Sequence, residues 1–340
     1  MANKSQYLGA YWGSNAIHFV NSSKAPYTHF KVPVDPQEFG VGQYMASSMQ
    51  FCDAIQAALV RHNVSRPLLN LSLPTRDIII RSFAIPWMNA GDIKNVVQFE
   101  AAKYIPFALE DVKYTYHPMT ILEGNDRKIR IIIVAIKKET IENYTQVFEQ
   151  CSIMVNMIEP APQSMIRMLL GKKLIPLDKT IALVDKNETD GRIVIVDNGI
   201  PQFVRELQTQ MIASNSTSVE EQNTKLTDEI RISLDFYNRQ EGSPNPVSEI
   251  KVLSDNEEND LVRMLNDDTL LPVTPVNYLS TFAGEAITEA GQLNALGASF
   301  HDEISTPSDF DLSGDEQQKV RPLAVQSGGN IIKSAASAFF

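Results

Sequence analysis

The sequence predicts an α/β protein made of two similar units with a smaller lobe set into the first. Three observations carry that expectation. The chain has 340 residues, enough for two domains that each bury a core. Two blocks, beginning near residues 6 and 180, each read as a three-stranded meander followed by a helix. Between them, residues 71–119 read as strand, helix and strand in their own right.

In the first block, Tyr7 to Tyr11, Ala16 to Val20 and Tyr27 to Val32 are strand-like, with Gly13-Ser14-Asn15 as the first turn. A helix is expected over 44–62, with Phe51, Ile55, Ala58, Leu59 and His62 on one face. Leu68 to Leu73 reads as a buried strand. The interposed stretch then opens with Ile78, Ile79, Ile80 and Phe83, a β-branched and aromatic run ending at Pro86. Asn89 is placed to cap the next helix, and Asp92 suits the positive end of its dipole. Ile93, Val96, Val97, Ala101 and Tyr104 recur at helical spacing, and Pro106 disfavours continuation at Ile105. Arg130 to Ile136 is another strand, 138–150 a helix, Ile153 to Ile158 a strand and 161–171 a helix.

The second block repeats the theme. Ile181 to Val184, Arg192 to Val196 and Phe203 to Leu207 are strands, and Asn198-Gly199 carries type I′ hairpin chemistry. Residues 208–224 are polar and are expected to be a loose connection. A helix over 225–240 follows, with Leu226, Ile230, Leu234 and Tyr237 inward. Ser248 to Leu253, Glu257 to Leu265 and Leu271 to Pro275 read as strand, helix and strand, and a last helix spans 282–297. Residues 301–340, rich in Ser, Thr, Pro, Gly and acids without a sustained period, are expected to be a disordered tail.

Composition removes several function classes. No window holds the about 18 consecutive apolar residues of a membrane span. Met1 to Gln6 lack a signal peptide's apolar region, so a cytoplasmic protein is expected. A net charge of −11 argues against nucleic-acid binding, which requires clustered cations. The five histidines are scattered, so no zinc site is expected. Cys52 and Cys151 stand alone and read as buried thiols rather than as a disulfide or metal pair.

One set of residues carries more. Ser72-Leu73-Pro74, Arg81, Ile85-Pro86, Gln98 and Glu100, Tyr104-Ile105-Pro106-Phe107 and Glu110-Asp111-Val112 follow one another in an order that resembles the PilM family of type IV pilus assembly proteins. Glu229 to Tyr237 and Ala295-Leu296-Gly297-Ala298 are similar to that family's later helices. The resemblance implies an actin-like fold of two ribonuclease-H-like domains. The first would cover 1–176, with a small lobe inserted at about 75–150. The second would cover 177–281, and residues 282–300 would be a closing helix on the first domain. It also implies a protein docked peripherally on the inner membrane, gripping the cytoplasmic N-terminal peptide of a PilN-like partner. The related GspL cytoplasmic domains of type II secretion show the same architecture working without nucleotide. The implied peptide groove lies between the first domain and its lobe, which singles out Gln98, Glu100, Tyr104 and Phe107. Tyr104 and Phe107 also continue the apolar face of their helix, and Gln98 and Glu100 also suit a solvated one.

Actin-like ATPases hold phosphates in two Gly-rich turns, each with an acid for magnesium, because amides converge on an anion only where no side chain intrudes. Measured against that pattern, the sequence departs repeatedly. The first turn has Tyr11-Trp12-Gly13 where the family has Asp-Ile-Gly, and His18 where it has Lys. In the second, Asp185 is kept but Lys186 and Asn187 replace glycine. Leu207-Gln208-Thr209-Gln210 lacks the usual double glycine, and Ser254-Asp255-Asn256 replaces Ser-Gly-Gly. No P-loop, GxSxG or HExxH motif offers other chemistry. A scaffold with a degenerate site and no cofactor is therefore the favoured expectation. The alternative is a working ATPase in which Asp185 holds magnesium and Gly13, Ser14 and Asn15 contact ATP phosphates. A filament-forming protein in the manner of FtsA is a third, with self-association left open.

Overall fold

The computed structural model describes residues 7–34, 49–123, 126–187, 191–240 and 245–314. The first meander is β1 (Tyr7–Trp12), β2 (Ala16–Asn21) and β3 (Thr28–Pro33), paired antiparallel. Helix α1 (Met49–Arg61) leads to β4 (Leu68–Leu73), which lies parallel to β1. The expected start of this helix at residue 44 lies outside the described residues.

The chain then leaves this sheet to build the lobe. β5 (Ile79–Pro86), α2 (Ala90–Ala101), β6 (Val112–Glu123) and β7 (Asp126–Lys137) give a three-stranded antiparallel sheet in the order β5-β7-β6. Helix α3 (Lys138–Gln150) returns to β8 (Met154–Pro160), which pairs parallel to β4. The first sheet thus reads β3-β2-β1-β4-β8, with α4 (Ala161–Gly171) following it.

Strand β7 shows why its sequence is almost continuously apolar. Ile129, Ile131, Ile133 and Ala135 face α2 and join a lobe core with Ile93, Val97 and Ala101. The alternate residues Ile132, Val134 and Ile136 join the main core with Tyr144 and Phe148 of α3. A strand covered on both faces needs no polar side. The lobe sheet is therefore a wall with α2 on its outer face.

The second unit repeats the connectivity of the first. β9 (Thr180–Asp185), β10 (Arg192–Asp197) and β11 (Ile200–Glu206) form the meander. After α5 (Thr209–Ser214) and α6 (Val219–Asn238), β12 (Glu249–Ser254), α7 (Asn259–Thr269) and β13 (Val273–Asn277) complete a sheet ordered β11-β10-β9-β12-β13. In both sheets three antiparallel strands are extended by two parallel ones, the duplicated actin-like α/β plan. Asn198 and Gly199 take φ of 53° and 75°, the left-handed pair a type I′ hairpin demands. Finally α8 (Tyr278–Thr281) and α9 (Ala290–Ser299) bring the chain back, and α9 packs on β1, β2 and α4. A Cβ on Gly297 would stand 2.1 Å from the Ser164 carbonyl oxygen, so the α4–α9 crossing requires glycine there.

Several expectations are corrected. Residues 208–224 hold α5 and the start of α6: Ser218 Oγ accepts from the Glu221 amide at 3.2 Å, and Glu221 accepts from the Thr217 amide at 2.8 Å. This is a capping arrangement spelled Ser-Val-Glu-Glu, which polarity alone conceals. The helix expected over 282–297 is broken: Ala286 turns left-handed at φ 56°, and α9 begins only at Ala290, with Gln292 of its first turn accepting from the Thr288 amide at 2.8 Å. Asn89 precedes α2 without a side-chain capping bond. Residues 301–314 are not part of a loose tail: Ile304, Phe310 and Leu312 are buried, and the Leu312 amide donates to Ile158 at 2.7 Å. Residues 315–340 lie outside the described residues. Cys52 of α1 and Cys151, just after α3, are joined as a disulfide across 99 positions. Their isolation in sequence hid a pairing that only helix packing creates.

Candidate functional site

The two hairpin turns that would hold phosphates in this fold are built as follows. At the first, the Gly13 amide donates to Ala16 O at 3.0 Å, and Asn15 O accepts from the Val34 amide at 2.9 Å. Ser14 Oγ accepts from Arg76 Nη1 at 2.9 Å, which ties the turn to the segment entering the lobe. Tyr11, at the end of β1, is buried and lies stacked along His18, with ring centroids 6.3 Å apart. His18 Nδ1 lies 3.6 Å from Glu289 at the start of α9, and Glu289 also accepts from Lys31 Nζ at 2.9 Å. Charge around this turn is thus balanced by the protein's own side chains.

At the second turn the surviving acid is engaged. Asp185 Oδ2 accepts from Arg192 Nη2 at 2.7 Å, and the same nitrogen donates to Asn294 Oδ1 of α9 at 3.1 Å. Arg192 is 1% exposed and Asp185 4%, so the pair is a buried one. The β9–β10 register explains it, since Asp185 and Arg192 stand directly opposite each other. Lys186 is paired with Glu258, and Asn187 O accepts from Thr209 Oγ1 at 2.8 Å. Where a nucleotide base would be gripped, Ser254 Oγ closes a local turn by accepting from the Asn256 amide at 2.9 Å. Asp255 is exposed, with its carboxylate accepting from Asn256 Nδ2 at 2.8 Å. Among the described residues no group of three or more His, Cys, Asp or Glu side chains is placed to hold a metal ion.

The four residues singled out for partner binding are brought together only loosely. Gln98 and Glu100 lie on α2, which sits on the lobe face away from the main core. They therefore do not line a gap between lobe and first sheet. Gln98 is exposed, and Glu100 holds Lys103 with both oxygens at 2.8 Å. Tyr104 and Phe107 are 39% and 38% exposed, rather than core, because α2 ends at Ala101 before either is reached. Tyr104 stacks face to face on Phe83 of β5 at 4.5 Å, while Phe107 lies under Lys137 Nζ at 4.3 Å. Phe99, on the same helix, is 71% exposed.

Sequence reasoning missed Arg192 and Asn294, and it missed a groove between β5 and β11 that Tyr104 borders. The first had a usable signal in the short hairpin that sets Arg192 opposite Asp185. The groove joins strands from separate units and leaves no local trace.

Comparisons with known proteins agree with this architecture. The family model described as type IV pilus assembly protein PilM matches residues 13–221. A chain of the PilM–PilN type IV pilus biogenesis complex superposes with a TM-score of 0.63 at 19% identity, covering 87% of this chain and 95% of that one. The cytoplasmic domain of EpsL, an inner-membrane component of the type II secretion system of Vibrio cholerae, gives 0.49 at 11% identity, over 92% and 99%. An archaeal actin homologue gives 0.40 at 11% identity, over 86% and 98%. No curated protein matches the sequence.

Proposed function

The chain belongs to the PilM family of type IV pilus assembly proteins, and from that premise we propose that it is a scaffold that no longer uses magnesium and ATP. On this reading it sits at the cytoplasmic face of the inner membrane, in a pilus or type II secretion platform. The observation that carries the scaffold reading is the Asp185–Arg192 pair. A magnesium ion needs a carboxylate oxygen free to turn toward it or toward its water. Here the only acid retained from the pattern is neutralised by a buried guanidinium that Asn294 also holds. Tyr11 adds a phenol where the other acid would stand. These residues do not fit a hydrated magnesium ion, so no hydrolytic step is assigned to them.

What remains is recognition. We place the N-terminal tail of a PilN-like membrane protein on the exposed side of α2 and the turn after it, where Gln98, Glu100, Tyr104 and Phe107 stand beside the exposed Phe99. Exposed aromatics on a helix and the turn that follows it are costly to leave in water, and aromatics are enriched in interface cores. Calorimetry with ATP and magnesium tests the first half: no heat is expected from the folded protein, and micromolar binding would restore the ATPase reading. Capture of the tail peptide tests the second. Glu100→Lys and Phe107→Ala are expected to weaken it, and intact binding in both folded variants overturns the placement.

A further inference from the structure

The lobe and the second unit face each other across a groove whose two walls are sheet edges. Among the described residues, β5 is an outer strand of the lobe sheet and β11 an outer strand of the second five-stranded sheet. Residues 80–84 of β5 and 202–205 of β11 line a cavity of about 870 Å³, to which α6 contributes Phe236. An edge strand turns alternate N–H and C=O groups away from its own ladder. A second extended chain can pair with them at the usual strand spacing of about 4.8 Å. The five residues of β5 run about 13 Å at about 3.3 Å per step, the length of a short extended segment.

The side chains narrow the occupant. Phe83 and Tyr104 form a flat stacked pair at one wall, and Phe236, 55% exposed, stands 5.6 Å from Phe203 at the other. Among the described residues, the charged ones lining the groove are Arg81, Lys128 and Arg205, and no carboxylate is among them. That is contrary to the chain as a whole, which has 41 acidic against 30 basic residues. Asp235 belongs to the adjoining surface of α6, with Ile232 and Arg239.

We propose that this groove binds an extended protein segment that carries carboxylates and apolar residues two positions apart on one face, as Arg81 and Phe83 are on β5, and adds as a strand to the β5 edge. It is a docking surface distinct from the exposed side of α2, although Tyr104 touches both. Its cations would meet the carboxylates and its aromatic walls the apolar residues. A polyanion without a peptide backbone gains nothing from the strand edges, and it would approach a chain of net charge −11 against repulsion.

The test uses the full chain and fluorescence anisotropy with a labelled peptide, Glu-Thr-Phe-Thr-Glu-Thr-Phe, whose acids and aromatics share one face of an extended strand. A second peptide carries Lys at every acidic position. The acidic peptide is expected to bind at least about tenfold more tightly. The double variant Arg81→Glu with Arg205→Glu, both exposed and so compatible with folding, is expected to weaken it by about tenfold or more. Methylation of alternate peptide nitrogens should abolish binding, and amide exchange should slow in β5 and β11. Glu100→Lys should leave this binding unchanged, so failure here and failure of the α2 reading are separable. Equal affinity for both peptides, absence of binding, or displacement by an oligothymidine of matching charge at equal affinity overturns the proposal.

Discussion

Arg192 donates to Asp185 at 2.7 Å across the base of the β9–β10 hairpin, with both side chains almost wholly buried. On the scaffold reading proposed above, the pair takes up the one acid that a magnesium site would need free. Its energetics give a test that does not depend on nucleotide. Removing one member leaves a buried charge uncompensated, so Asp185→Leu or Arg192→Met alone should cost about 3–5 kcal/mol. The double variant, with both charges gone and comparable volume, should recover most of that loss in urea unfolding. If Asp185→Leu alone were neutral, the carboxylate would not be structurally committed and the case for a degenerate site would lose its main support.

Much of the fold was legible because its signals are local. The run Arg130 to Ile136 could only be a buried strand, and Asn198-Gly199 could only be a tight hairpin. The duplication showed itself through two successive meanders. What escaped was set by longer reach or by competing local bonds. Ser218 opens a helix inside a stretch whose composition reads as loop, and the left-handed Ala286 interrupts the apolar run before α9 opens at Ala290. Phe310 and Leu312 are buried without any period, because an extended strap beside β8 follows the shape of its neighbours rather than a repeat of its own. At the candidate site the departures Tyr11 and His18 were plain in the sequence. The short hairpin hinted at Arg192 as the partner of Asp185, and the strand register fixes it.

That strap also predicts a pH dependence. His301 lies 2.9 Å from Asp302 and 3.5 Å from Asp309, and the hydrogen bond to Asp309 is the first cause that holds its pKa above the ordinary value, against the opposing effect of burial. A raised folded-state pKa means that the charged imidazole binds its surroundings better than it does in the unfolded chain. The resulting stability is fully present below the unfolded pKa of about 6.5 and fades as pH rises through the folded one. The carboxylates remain partly open to solvent, so the gain should be under about 1 kcal/mol. Wild type should therefore exceed His301→Gln in melting temperature at pH 6, and the gap should close by pH 8.5. A gap that widened with pH would mean that the neutral ring, not the ion, secures the strap.

The disulfide between Cys52 and Cys151 sets a structural claim against the proposed location. It ties α1 to the end of α3, which carries Tyr144 and Phe148 against Trp12 beside the first hairpin turn. Closing so long a loop should stabilise by roughly 2–4 kcal/mol, mainly by restricting the unfolded chain. Cytosolic thiols are ordinarily kept reduced, whereas Cys151 is only 2% exposed and the Gln56 amide covers its carbonyl. Protein purified without reductant is expected to show no titratable thiol when unfolded in denaturant. After reduction under unfolding conditions and refolding, it should show two. The reduced form and Cys52→Ala should then lose stability by similar amounts, because the cross-link is the main contribution that each removes. Two thiols in freshly isolated protein, with stability unchanged by an added oxidant, would show that packing alone holds α1 against α3.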